Sequence, residues 1–198
     1  MPCGSDDRRG VTMLGRYFAD RNRAYNDTFT IDGYIRSQCE EPVCRMRYGC
    51  KTMDYNGCEV IACYHALLSL GMPAAFSEIA DTCSRIGLWL GGLWGTRPRA
   101  LYRFCRKYGL AYRRYRRRDY KTATEDVVLY VYWNPRFHGI HTVELHRCAH
   151  GYVVTNLGYL RGAVFETMGD VLHAIRTPMP ILCLGIARNP TENSRISE

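Results

Sequence analysis

Residues 58–70, CEVIACYHALLSL, are apolar on nearly every helical face. Such a run predicts a helix in the middle of a domain, with its first residue at the edge of the core. Asn56 is a good N-cap, Gly71 supplies a C-cap and Pro73 blocks continuation. A second helix is predicted over residues 76–86. A third is predicted from a Thr96 cap, with Pro98 in its first turn, to closure at Gly109. Between them, GLWLGGLWGT (87–96) is irregular, because glycines interrupt its tryptophans. Before Cys58 the pattern weakens. Residues 13–34 suggest short helical or irregular structure, and 36–57 read as a long surface connection.

After residue 120 the period changes from helical to alternating. VVLYVYW (127–133), HTVELHR (141–147) and GYVVTNL (151–157) are runs of β-branched and aromatic residues that predict strands. The last two are separated by Cys148, Ala149 and His150, a connection short enough for an antiparallel hairpin. A short helix over residues 169–176 and a strand over 181–187 complete the pattern. Helices first and strands later predict an α+β fold. The expected organisation is a loose N-terminus (1–12), one domain (13–187) and a polar tail (188–198). Within the domain, residues 13–55 are open to three roles: lid, pro-segment or part of the core.

The composition narrows the classes. A chain of 198 residues with 46% hydrophobic and 12% aromatic content is globular. No apolar run approaches a membrane span, and the first residues lack the apolar stretch of a secretory signal, so a cytoplasmic location is expected. The ten cysteines are scattered and form no CxxC pair. They read as small buried residues or free thiols rather than a disulfide framework. Zinc binding through Cys39, Cys44 and Cys50, or through Cys148 and His150, is disfavoured because the spacings match no common finger or ribbon. No metal or cofactor is therefore expected. The formal charge of +8 is concentrated at Arg113, Arg114, Arg116, Arg117 and Arg118, with Tyr112, Tyr115 and Tyr120 interleaved. A nucleic-acid surface uses that mixture, but so does a solvated helix-to-strand connection. The second reading is preferred at this stage, with nucleic acid disfavoured as a partner.

The candidate chemistry begins at Cys58. A thiol is a nucleophile as thiolate, and a helix N-terminus favours that form. His141 opens a predicted strand, where a base can be held rigidly within reach of the thiol. Asn156, fifteen residues on, returns beside His141 if the hairpin forms. Its amide oxygen could then fix the tautomer that leaves the other ring nitrogen facing sulfur.

These residues carry a resemblance. NGCEVIACYHALLSLG, GGLWGTRPRALYRFCRKYG, VYWN, IHTVEL and VVTNLGY together resemble the papain-like bacterial cysteine peptidases related to the double-glycine, bacteriocin-processing peptidase domains. The resemblance covers about residues 56–159. It implies a papain-like fold, with a nucleophile helix packed on a C-terminal antiparallel sheet, and thiol-dependent peptide cleavage without metal. Carried over by residue, Cys58 matches the nucleophile, His141 the base and Asn156 the orienting residue. The sequence departs from the family in lacking a Gln just before the cysteine, where the oxyanion donor usually sits. Asn56 and Gln38 are the candidate replacements. Gly91, Gly92, Trp94 and Trp133 are candidates for lining a substrate groove. The expected function is hydrolysis of a peptide or amide bond through a thioester. The alternative is a catalytically weak or silent module that binds a peptide in the same groove.

Overall fold

A computed structural model describes residues 13–134, 139–160, 163–176 and 179–189. The loose N-terminus expected at 1–12 falls outside these, as does the tail expected at 188–198 beyond its first two residues, of which Arg188 belongs to a strand instead. The chain is an α+β structure: six helices precede or flank a six-stranded antiparallel sheet among the described residues. Helix α1 (Met13–Asn26) leads into a small hairpin, β1 (Arg47–Tyr48) and β2 (Lys51–Thr52), and a one-turn helix, α2 (Met53–Asn56). Then come α3 (Cys58–Ser69), α4 (Phe76–Gly87) and α5 (Ala100–Lys107). The sheet is built from β3 (Leu110–Arg114), β4 (Val127–Asn134), β5 (Gly139–Cys148), β6 (Gly151–Val154), β7 (Val164–Phe165) and β8 (Met179–Arg188), with α6 (Met168–Ile175) before the last strand. Its order is β3-β8-β4-β5-β6-β7, so the final strand closes the gap between β3 and β4.

Strand β4 is buried on both faces, and its alternation shows why. Val127, Leu129 and Val131 join one apolar cluster with α3, α4 and α5, while Val128, Tyr130 and Tyr132 join a second with α6. The sheet is therefore covered on both sides, which explains why α3 needs apolar residues around most of its circumference. The expected hairpin forms, with Cys148 paired to Gly151 across a two-residue turn at Ala149 and His150.

Four local expectations are corrected. Residues 36–57 are not a surface connection: Met46, Tyr48 and Met53 are fully buried in the same core as α3. Asn56 is not the cap of α3. It ends α2, and Gly57 takes the cap position because the chain enters α3 directly from the preceding turn. Thr96 does not cap α5. That helix starts at Ala100 after Arg99, and the Thr96 hydroxyl instead bonds Tyr48 at 2.5 Å. Residues 110–114 form an edge strand rather than a connection.

One side-chain network ties the N-terminal region to the sheet. Ile35 N–H donates to His65 Nε2 at 2.8 Å, so Nδ1 carries the ring hydrogen and donates to Thr155 Oγ1 at 2.7 Å. Thr155 and Ser69 both donate to the fully buried Glu144 carboxylate, at 3.1 and 2.7 Å. His146 contacts the same carboxylate at 3.2 Å, and the Tyr34 ring packs against both histidines.

Candidate functional site

Cys58 is the first residue of α3, half-buried, and precedes the first intrahelical bond, from Ile61 N–H to Gly57 O. Backbone N–H groups in this first turn have no carbonyl one turn back within the helix. The thiol does not point into the helical layer. It lies against the free edge of β5, where it donates to the Ile140 carbonyl at 3.8 Å. That edge is free because β6 pairs only with the far end of β5, from Leu145 to Cys148. The N–H groups of Thr142 and Glu59 and the Thr142 hydroxyl face the sulfur and favour the thiolate, although the bond to Ile140 is the one the thiol completes among the described residues. Burial outweighs them and pushes the thiol up to about 11.

His141 follows Ile140 on β5. Alternation places it with Val143 and Leu145, on the sheet face opposite α3, where its ring meets Tyr132 edge-on at 5.6 Å. Its Nε2 lies 3.4 Å from the backbone carbonyl of Asn156. A carbonyl only accepts, so Nε2 carries the hydrogen and Nδ1 keeps its lone pair. Burial lowers this imidazole to about 4. Thiol and imidazole are thus both neutral at pH 7. Among the described residues no hydrogen bond joins them, and each is held instead by a backbone carbonyl.

Asn156 is buried and sits at φ +60, in the left-handed region that asparagine tolerates better than most residues. This bend carries the chain away from β5 just past β6, and so aims the carbonyl at His141. The contact expected of the side-chain amide is made by the main chain. The amide oxygen and nitrogen are both buried without a hydrogen-bond partner.

The two candidate oxyanion donors are engaged elsewhere. Asn56 directs both of its N–H bonds to backbone carbonyls, those of Tyr48 and Gly92. Gln38 donates to Asp54 O at 2.5 Å. Asn56 is instead a brace for the loop that carries the groove candidates. Gly91 and Gly92 are buried in that loop, at positive φ, against the Gly49 backbone, where a Cβ on Gly49 would stand 2.4 Å from the Gly91 oxygen. Trp94 is exposed and packs loosely on Trp89, with ring centroids 6.2 Å apart. Trp133 pairs across the ladder with Ile140, whose carbonyl receives the Cys58 thiol.

Two residues were not anticipated: Thr142, which faces the sulfur, and Tyr132, which faces the base. Both lie within segments that carry the resemblance, VYWN and IHTVEL, but strand register is what puts them there. Their hydroxyls, with both Asn156 amide atoms, Asn56 Oδ1 and Gln38 Oε1, are the buried side-chain polar atoms without a partner among the described residues. Each such group costs about 1–3 kcal/mol, and four of the six, on Tyr132, Thr142 and Asn156, lie on residues that touch His141 or adjoin it in the chain. Four unsatisfied polar atoms around one histidine are a mark of a site rather than of a core. Among the described residues no three His, Cys, Asp or Glu side chains stand together to hold a metal ion, and no helix is long and apolar enough to cross a membrane. The nine described cysteines are all free thiols. The chain matches no protein-family model, no curated protein and no solved structure.

Proposed function

We propose that the protein is a papain-like cysteine hydrolase that cleaves a peptide or amide bond, with Cys58 as nucleophile, His141 as base and Asn156 as orienting residue. The observation that carries the reading is the tautomer of His141. Donation from Nε2 to the Asn156 carbonyl leaves the Nδ1 lone pair as the basic site, on the residue next to the one whose carbonyl receives the thiol.

In this mechanism the thiol turns from the Ile140 carbonyl to Nδ1, which takes its proton as sulfur attacks the substrate carbonyl carbon. The tetrahedral oxyanion is met by backbone N–H groups in the first turn of α3, since the Asn56 amide is engaged. The imidazolium returns the proton to the leaving amine, the C–N bond breaks, and water hydrolyses the thioester. Proton removal is concerted with attack, because a thiol near 11 and an imidazole near 4 do not exchange a proton at rest. The same neutral pair favours a second reading, a module that holds a peptide in this groove without cutting it.

Treatment with a peptidyl epoxysuccinate at pH 7.5, followed by peptide mapping, separates the two. The hydrolase reading expects Cys58 to be modified ahead of the exposed Cys39 and Cys50, and His141→Ala to abolish that preference. Slow labelling led by the exposed cysteines would overturn it.

A further inference from the structure

Between residues 97 and 121 the chain carries eleven basic side chains and one acidic one, a net of +10. The rest carries 16 basic and 18 acidic side chains, a net of −2. All of the excess positive charge therefore lies on the segment leading into α5, on α5 and β3, and on the turn after them, and ten of the eleven basic residues are exposed. A merely solvated face mixes signs, because like charges within a Debye length of about 8–10 Å repel one another. Here Arg118 pairs with Asp119 at 3.5 Å, while Arg114, Arg116 and Arg117 make no ion pair among the described residues.

The arrangement is specific in two further ways. Strand β3 is a sheet edge, bonded to β8 on one side only. Tyr115 points into the core on one face, so alternation sends Tyr112 and Arg114 to the α5 face, where the Tyr112 ring stands 5.5 Å from that of Tyr102. Tyr112 is 40% exposed, a large ring held at the surface between arginines. At the end of the strand, Arg113, Arg114, Arg116 and Arg118, with Tyr115, Asp119 and Thr122, wall an open depression of about 280 Å³.

We propose that this surface binds single-stranded nucleic acid, with arginines on the phosphates and Tyr112 stacked on a base. The basic residues are nine arginines and two lysines, and the guanidinium fork matches phosphate oxygens in pairs. An exposed ring on the same strand supplies the sequence-tolerant stacking platform that such proteins use. An acidic peptide would satisfy the charge but gives the tyrosine nothing to stack on. Arg113 and Arg114 stand on this strand, while Arg116, Arg117 and Arg118 follow it in the connection that the sequence suggested.

The test is fluorescence anisotropy of the full chain with labelled 20-nucleotide oligo-dT and oligo-U, and with a polyglutamate peptide. Five neutralised phosphates give a log–log salt slope of about −3.5, so affinity should fall about 100-fold between 50 and 200 mM salt. Replacing two contacts, R116Q with R117Q, should flatten the slope by about 1.4. Y112A should weaken binding about 5- to 150-fold, the span of one lost stacking contact, while Y112F retains it. C58A should leave binding unchanged, which separates this surface from the hydrolase reading. The better of the two oligonucleotides identifies DNA or RNA as the source of the phosphates. No binding at 50 mM salt, polyglutamate bound as tightly as either oligonucleotide, or an unchanged affinity in Y112A would overturn the proposal.

Discussion

Acid should destabilise this protein through His65, and the size of the effect follows from its bonds. The ring is fully buried, accepts the Ile35 N–H on Nε2 and donates from Nδ1 to Thr155. Burial, then the nearby His146, lower it from 6.5 to about 3. A histidine depressed in the folded state leaves stability intact above its unfolded value and removes it as pH falls toward the folded one. At 1.36 kcal/mol per unit the full loss approaches about 5 kcal/mol, and about 3 kcal/mol is gone by pH 4.5. That is a large part of the 5–15 kcal/mol that holds a typical domain together. The informative comparison is with His65→Gln, which can still accept and donate but does not titrate. Urea unfolding, followed by tryptophan fluorescence at pH 7.5 and pH 4.5, reads both proteins. The variant should be less stable at pH 7.5 by about 1–3 kcal/mol, from imperfect hydrogen bonds. The unsubstituted protein should then lose about 3 kcal/mol more than the variant on acidification. Parallel losses in the two proteins would refute a neutral, buried His65.

Substitutions at three other positions have outcomes that follow from the geometry. Asn156→Gly keeps both the left-handed bend and the carbonyl, so Cys58 should retain its reactivity toward the epoxysuccinate. Asn156→Ala should lower the stability by about 1 kcal/mol through strain at positive φ. Thr142→Val removes a buried hydroxyl without a partner, so the melting temperature should rise while Cys58 acylation slows several-fold. Gly49→Ala sets a methyl against the Gly91 oxygen at positive φ, and thermal melting should show a loss of more than about 1 kcal/mol.

The elements read most easily from the sequence were those whose burial is strongly patterned. The apolar run beginning at Cys58, the alternation of residues 127–133 and the short connection before Gly151 each describe local geometry that the packing reinforces. What escaped was set by partners far along the chain. Tyr48 and Met46 gave no periodic signal, yet they are buried because α1 clamps their segment: Asn26 and Arg47 exchange bonds at 2.8 and 2.9 Å. Strand β3 was hidden because its side chains beyond Leu110 are exposed, and only pairing with β8, more than seventy residues later, makes it a strand. At the candidate site, spacing brought Cys58, His141 and Asn156 to one neighbourhood. It could not say which atoms would face each other. The left-handed backbone of Asn156 determines that the carbonyl meets the ring, and the early end of β6 determines that the thiol meets a strand edge.

The pH dependence of Cys58 acylation tests the proposed chemistry most directly. Rates of modification by the peptidyl epoxysuccinate, measured by peptide mapping from pH 3.5 to 10, distinguish a base-assisted thiol from a solitary one. With His141 as base, the rate should rise as the imidazole loses its proton near 4 and stay level through neutral pH. In His141→Gln that plateau should vanish, and the rate should climb about tenfold per pH unit toward the thiol at about 11. If the unsubstituted protein already shows that steady climb, His141 does not act on Cys58 and the proposed catalytic pair does not exist.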